Sequence, residues 1–254
     1  MRITATILLI CLSAVTLSCR REPNLETLYE KTKDAMVHMY TDTRDQQDMD
    51  KLSRVAVGFF VSPKGIVLTA AHQIPTTHPI YTSYQSDDGT SCVEWFNIQK
   101  RDTELDLVLL APARPVSPVK FLRPDLEHSP KVGQNVAVVT SFGRCEKDGE
   151  MYPATGMLPA TVYSVLHKGL FATNIYAFTG ISGSPVVDPA TERVLGVCLS
   201  RDIEIEFVKH RLYPFPLPDG TTVSMPVPYL ITNYGIARSL IPVREFLSDL
   251  ESRR

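Results

Sequence analysis

The chain has 254 residues, 44% of them apolar and 21% charged, an ordinary balance for a globular protein. That excludes a largely disordered chain and a polytopic membrane protein. Lys plus Arg number 26 and Asp plus Glu 28, a net charge of −2, which excludes a broad basic footprint for nucleic acid. The length suits one or two domains, and all-β barrels often reach it as a single one.

Arg2 opens a positively charged segment, and Ile3 to Leu17 is apolar apart from Thr and Ser. The run is short for a spanning helix and ends at Ser18-Cys19, the pattern of a secretory signal. Residues 1–19 are therefore read as a leader and 20–254 as the folded part, a single domain. Thr16-Leu17-Ser18-Cys19 resembles a bacterial lipobox, in which the Cys becomes the first mature residue and carries lipid. A plain signal cleaved near Ser18 and an uncleaved anchor are the other readings. Each puts the folded part outside the cytoplasm, in the periplasm or at the cell surface. Membrane contact is expected only through a lipid on Cys19.

That location bears on the cysteines. Cys11 and Cys19 belong to the leader, which leaves Cys92, Cys145 and Cys198. An oxidising compartment allows one bridge, and Cys92–Cys145 is the expected pair. Cys198 lies in the apolar run VLGVCL and is expected as a buried core thiol. No CxxC or HExxH occurs, so no metal site and no cofactor are expected.

Leu25, Leu28, Thr32 and Met36 recur at roughly helical spacing, and Pro23 and Asn24 suit a helix start. AMVHMYT then alternates as a half-buried strand does. Residues 42–53 are polar and read as a loop. VAVGFFVS, the turn Pro63-Lys64-Gly65 and GIVLTAA form a strand, turn and strand. TELDLVLLAPA, QNVAVVTSF, MLPATVYSVL, GSPVVDP, RVLGVCLS and EIEFVKH follow, each short, β-rich and bounded by Gly, Pro or Asp. That rhythm predicts an all-β antiparallel sandwich or barrel. Tyr213–Tyr229 holds five Pro and reads as a loop. Val243, Phe246, Leu247 and Leu250 then share one face of a C-terminal helix.

Three segments carry chemistry. Thr69-Ala70-Ala71-His72 ends a strand, Asp106 sits in LDLVLL, and Ser182 sits in Gly180-Ile181-Ser182-Gly183-Ser184-Pro185. A Ser hydroxyl is a poor nucleophile at neutral pH and needs an adjacent base. His supplies one, and a carboxylate on its far ring nitrogen sets the tautomer. Glycines beside the Ser allow a turn tight enough to aim backbone N–H groups at an oxyanion. Singly, each segment has a plainer reading: a structural His, a strand-end Asp, a turn. An α/β-hydrolase elbow is excluded, because it needs Ser before acid before His and a Gly where Ser184 stands.

Together the segments resemble the trypsin-like serine peptidases, and most closely the bacterial HtrA/Deg type. GFFVSPKGIVLTAAH, ELDLVLL, GISGSPVV and RVLGV are similar to that group's motifs in the same order, and NYGIARSLIPVREFL to its closing segment. The resemblance spans about Asn24–Leu250. It implies two six-stranded antiparallel β-barrels, with short N- and C-terminal helices and a catalytic cleft between the barrels. It makes His72 the general base, Asp106 the orienting acid and Ser182 the nucleophile, with the N–H groups of Gly180 and Ser182 as oxyanion hole. Tyr176 would form the base of the specificity pocket, and Leu199, Ser200 and Arg201 the wall of the groove. None of these is a buried acid, so a small or medium apolar side chain is expected before the scissile bond.

Two positions depart from the pattern. Ile181 stands where an Asp would pair with a newly cut N-terminus, so activation by that cleavage is not expected. Ser184 replaces a Gly. The expected function is an extracytoplasmic serine endopeptidase acting on protein or peptide segments. A homo-oligomer is an expectation of the resemblance alone. The alternative is a catalytically silent binding or chaperone-like module on the same fold. Labelling of Ser182 by an active-site probe separates the two.

Overall fold

The computed structural model describes residues 24–42, 52–76, 80–147, 150–176, 181–199, 212–216, 222–226, 234–241 and 244–247. Residues 1–19 with Cys19, the EIEFVKH segment, Gly180, Ser200 and Arg201 lie outside them.

Helix α1 (Leu25–Thr32) starts where the Asn24 side chain accepts from the backbone N–H groups of Glu26 and Thr27, at 3.0 and 3.3 Å. Such a cap satisfies donors that the first helical turn leaves orphaned. The helix stops short of the predicted Met36. A 3-10 turn over Lys33–Ala35 intervenes, and Met36 already belongs to a strand. Tyr29 donates to the Thr155 carbonyl at 2.8 Å, and Leu28 and Thr32 are buried.

Six strands form the first barrel: β1 (Met36–Asp42), β2 (Leu52–Phe60), β3 (Val67–Ala70), β4 (Ile80–Gln85), β5 (Ser91–Asp102) and β6 (Leu107–Pro112). They close in the order β1-β2-β3-β6-β5-β4, every pairing antiparallel. The chain continues through β7 (Asn135–Lys147), β8 (Glu150–Val165), β9 (Leu170–Tyr176), β10 (Pro185–Asp188) and β11 (Arg193–Cys198). A hairpin of β12 (Leu212–Pro216) and β13 (Thr222–Pro226) follows, then β14 (Tyr234–Ser239) and the short helix α2 (Arg244–Leu247). The second barrel closes as β10-β11-β14-β9-β8-β7, also antiparallel throughout. Two closed six-stranded barrels are the architecture expected from the sequence.

Why the key strands are apolar on both faces follows from this arrangement. Phe60, Val67, Val108 and Leu110 fill the first barrel, and Val136, Val138, Val186 and Leu195 the second. Their chain neighbours Phe59, Leu68, Leu109, Ala137, Val139, Val187 and Val194 point the other way, into one cluster spanning both barrels. A strand with two buried faces loses the polar alternation of a half-solvated one. The linker between barrels is tied to both: Leu122 N–H donates to Phe60 O, and Asp125 N–H to Val194 O, each at 2.8 Å.

Two expectations are corrected. The proline-rich stretch contains a hairpin rather than only a loop. Pro214, Pro216 and Pro226 all fall on one parity of its register, opposite Ser224, Thr222 and Leu212. At that parity the backbone nitrogens face away from the partner strand, so a residue without an N–H costs no ladder bond. The second correction concerns the expected bridge. Cys92 carries a free thiol and contacts the Thr90 carbonyl at 3.6 Å. It lies on β5 of the first barrel, whereas Cys145 belongs to β7 of the second. Cys198 is buried as expected, and burial pushes its thiol up to about 12.

Candidate active site

Strand β3 delivers Thr69 and Ala70 to the seam between barrels, and a 3-10 turn over Ala71–Gln73 then presents His72. The β5–β6 connection approaches from beside it. There the Asp102 carboxylate accepts from the N–H groups of Glu104 and Leu105, at 2.9 and 2.8 Å, and shapes the turn. Asp106 ends that turn at φ 58°, a left-handed conformation that Asp tolerates better than most residues.

Three bonds join Asp106 to the His72 turn. Its carbonyl accepts from Ala71 N–H at 3.0 Å. One carboxylate oxygen accepts from His72 N–H at 2.9 Å, and the other lies 2.8 Å from His72 Nδ1. Asp106 is buried, whereas the His72 side chain is 37% exposed. An ionised carboxylate only accepts, so this contact suits the tautomer whose proton sits on Nδ1.

Ser182 comes from the second barrel. It sits in a turn closed by Ser184 N–H to Ile181 O at 3.1 Å, with Gly183 at φ 83°. Gly183 N–H donates to Cys198 O and Cys198 N–H to Ser184 O, each at 2.8 Å, which lays the turn on β11. The Ser184 hydroxyl donates to Thr140 Oγ1 at 2.7 Å inside the barrel. A Cβ at position 183 would collide with the Val57 carbonyl and the Thr69 hydroxyl of the first barrel. Glycine thus lets the Ser182 turn press against the strand that runs into His72, so both reach the same seam. Ile181 is buried among Val136, Val138, Phe171 and Val186, so an apolar contact anchors the turn where a charged one was considered above.

The remaining candidates are less fully described. Tyr176 ends β9 opposite Tyr234, and only its backbone is described. Leu199 is buried in the cluster between the barrels, and its N–H donates to Ile236 O at 2.7 Å. Gly180, Ser200 and Arg201 lie outside the described residues. Among the described residues no three His, Cys, Asp or Glu side chains converge as a metal site would require. No described helix is long and apolar enough to cross a membrane.

Sequence reasoning missed two cations. Arg101 donates to the Ile74 carbonyl just beyond His72. Arg238, 7% exposed on β14, donates to the carbonyls of Leu105, Lys168 and Glu104. The one available signal was an Arg amid the apolar residues of GIARSLI.

The family of the trypsin-like peptidase domain matches residues 56–197. A comparison with curated proteins gives no match. Among solved structures, the chain is similar to the MamO protease domain from Magnetospirillum magneticum in its apo form. The TM-score is 0.58 at 17% identity, over 86% of this chain and 98% of that one. It is also similar to a serine endoprotease from Yersinia pestis, with a TM-score of 0.57 at 15% identity, over 89% of this chain and 66% of that one. Deg5 gives a TM-score of 0.55 at 16% identity, over 70% and 85%. At such identities these neighbours speak for the fold. The match over residues 56–197 goes further: the chain belongs to the trypsin-like peptidase family.

Proposed function

We propose that this chain is an extracytoplasmic serine endopeptidase. The observation that carries the proposal is the paired bond from the buried Asp106 carboxylate to His72, at 2.9 and 2.8 Å, on the seam where the Ser182 turn is pressed. In this reading Ser182 Oγ attacks the scissile carbonyl while His72 Nε2 takes its proton. Asp106 holds the ring and stabilises the imidazolium. The N–H groups of Gly180 and Ser182 receive the oxyanion. His72 then protonates the leaving amine, and water releases the acyl group from Ser182 by the same steps reversed. No metal or cofactor takes part. The family match and the endoprotease neighbour support peptide-bond hydrolysis. The leader at residues 1–19 supports export, with lipid on Cys19 as the anchor. Substrates are protein or peptide segments, with a small or medium apolar side chain before the scissile bond.

A second reading, a silent binding module on the same fold, draws on the 2% exposure of Ser182. A fluorophosphonate probe, which reacts only with an activated Ser, decides between them. Purified residues 20–254 are expected to label and folded Ser182→Ala is not. A folded wild type that stays unlabelled, or a variant that labels equally, overturns the peptidase reading.

A further inference from the structure

The acid and the base of the proposed site belong to the first barrel, yet the turn that carries the acid is gripped from the second. Arg238 on β14 lies opposite Val197 of β11 in the register. Directly opposed residues share a sheet face. Val197 belongs to the cluster between the barrels, so Arg238 faces the seam. From there Nε donates to Leu105 O at 3.0 Å and one terminal nitrogen to Glu104 O at 3.3 Å. The other terminal nitrogen donates to Lys168 O at 2.6 Å, in the β8–β9 turn of its own barrel.

Peptide planarity gives these bonds a consequence for Asp106. The Leu105 carbonyl and the Asp106 nitrogen share one rigid plane. Holding that oxygen holds the plane from which Asp106 departs at φ 58°. Glu104 O fixes the plane before it. One guanidinium therefore orients two successive peptides leading to the carboxylate, and its planar fork suits such paired acceptors. The opposite flank of Asp106 is tied to Ala71 and His72. Asp106 is thus held from both sides, by its own barrel and by the neighbouring one.

We propose that Arg238 is a positioning residue, which sets the Asp106 carboxylate, and through it the His72 ring, from the opposite barrel. The inference rests on the reading of Asp106 as the orienting acid. It makes the acid–base pair dependent on how β14 docks, and β14 also receives Leu199 through Ile236 O.

The test compares wild type, Arg238→Ala and Arg238→Lys, after thermal unfolding has shown each to be folded. Arg238→Ala is expected to lose about ten- to a hundred-fold in kcat toward a peptide substrate, because small misplacements of catalytic groups cost that much. KM should stay within about two-fold, as for an interaction made in the transition state. The low-field proton resonance of His72 Nδ1–H, assigned by its loss in His72→Ala, should shift or broaden. Arg238→Lys should fall between the two, since one ammonium cannot reproduce the fork. If Arg238→Ala fails to fold, the lysine variant decides by the same readouts. Wild-type kcat with an unmoved resonance in a folded variant overturns the proposal, as does a loss confined to KM. A wild type that hydrolyses nothing overturns the peptidase reading instead, and the resonance comparison still decides whether Arg238 sets the Asp106–His72 pair.

Discussion

The two halves of the candidate site are held in different ways. The His72–Asp106 corner of the first barrel is built mainly from side-chain bonds. The Asp102 carboxylate shapes the turn, the Asp106 carboxylate grips His72 twice, and Arg101 and Arg238 brace the flanking carbonyls. The Ser182 turn of the second barrel is built mainly from backbone bonds and from the room that Gly183 leaves. A side-chain bond can be altered while the chain path survives. A backbone turn wedged between barrels cannot. Substitutions in the first corner should therefore change chemistry, and those in the frame of the second, the Ser182 hydroxyl itself apart, should change stability.

Asp106→Asn should produce the largest effect and sharpen that contrast. The amide can still accept from His72 N–H, but its NH₂ then faces Nδ1 and favours the tautomer whose Nε2 cannot take a proton. The expected loss in kcat is about 10⁴-fold, as for a triad acid elsewhere, with little change in Tm. A folded variant of wild-type activity would break the assignment, and a large fall in Tm would break the comparison.

Gly183→Ala comes next. The added methyl meets the Val57 carbonyl at a backbone angle that disfavours any side chain. A cost above about 2 kcal/mol is expected, read as a lower Tm or a lower denaturant midpoint. An alanine variant as stable as wild type would show that the barrels are not pressed together at this point.

Ser184→Ala should be mildest. It removes the buried bond to Thr140 Oγ1 at 2.7 Å without touching the turn's backbone. A loss of about 1 kcal/mol is expected in urea unfolding, with kcat toward a peptide substrate unchanged. A clear fall in kcat would mean that this side of the site also depends on side-chain bonds.

The parts of the candidate site were legible because each is local. Each carries its own flanks: an apolar strand into His72, an apolar strand out of Asp106, glycines around Ser182. The barrels were legible from short β-rich runs between turn residues, although β4, β5, β9 and β14 were not among the runs singled out. The β5 strand is exposed along much of its length, so its apolar pattern is weak. The Pro-rich hairpin was read as a loop because a proline count does not reveal its parity in a register. The Cys92–Cys145 pairing failed because compartment chemistry says whether a bridge can form, not which barrel holds each thiol.

What the sequence by itself determined was the list of chemical groups and the strand rhythm, since residue type and period are properties of contiguous chain. What only the tertiary structure decided was who braces whom. Arg238 reaches Leu105 across a sequence separation of 133, and the wedge of Gly183 against Val57 joins two barrels. Carbonyl acceptors are present at every residue, so no side-chain pattern marks which of them a distant guanidinium will find. Only the docking of the two barrels, driven by the apolar faces they share, brings donor and acceptor together.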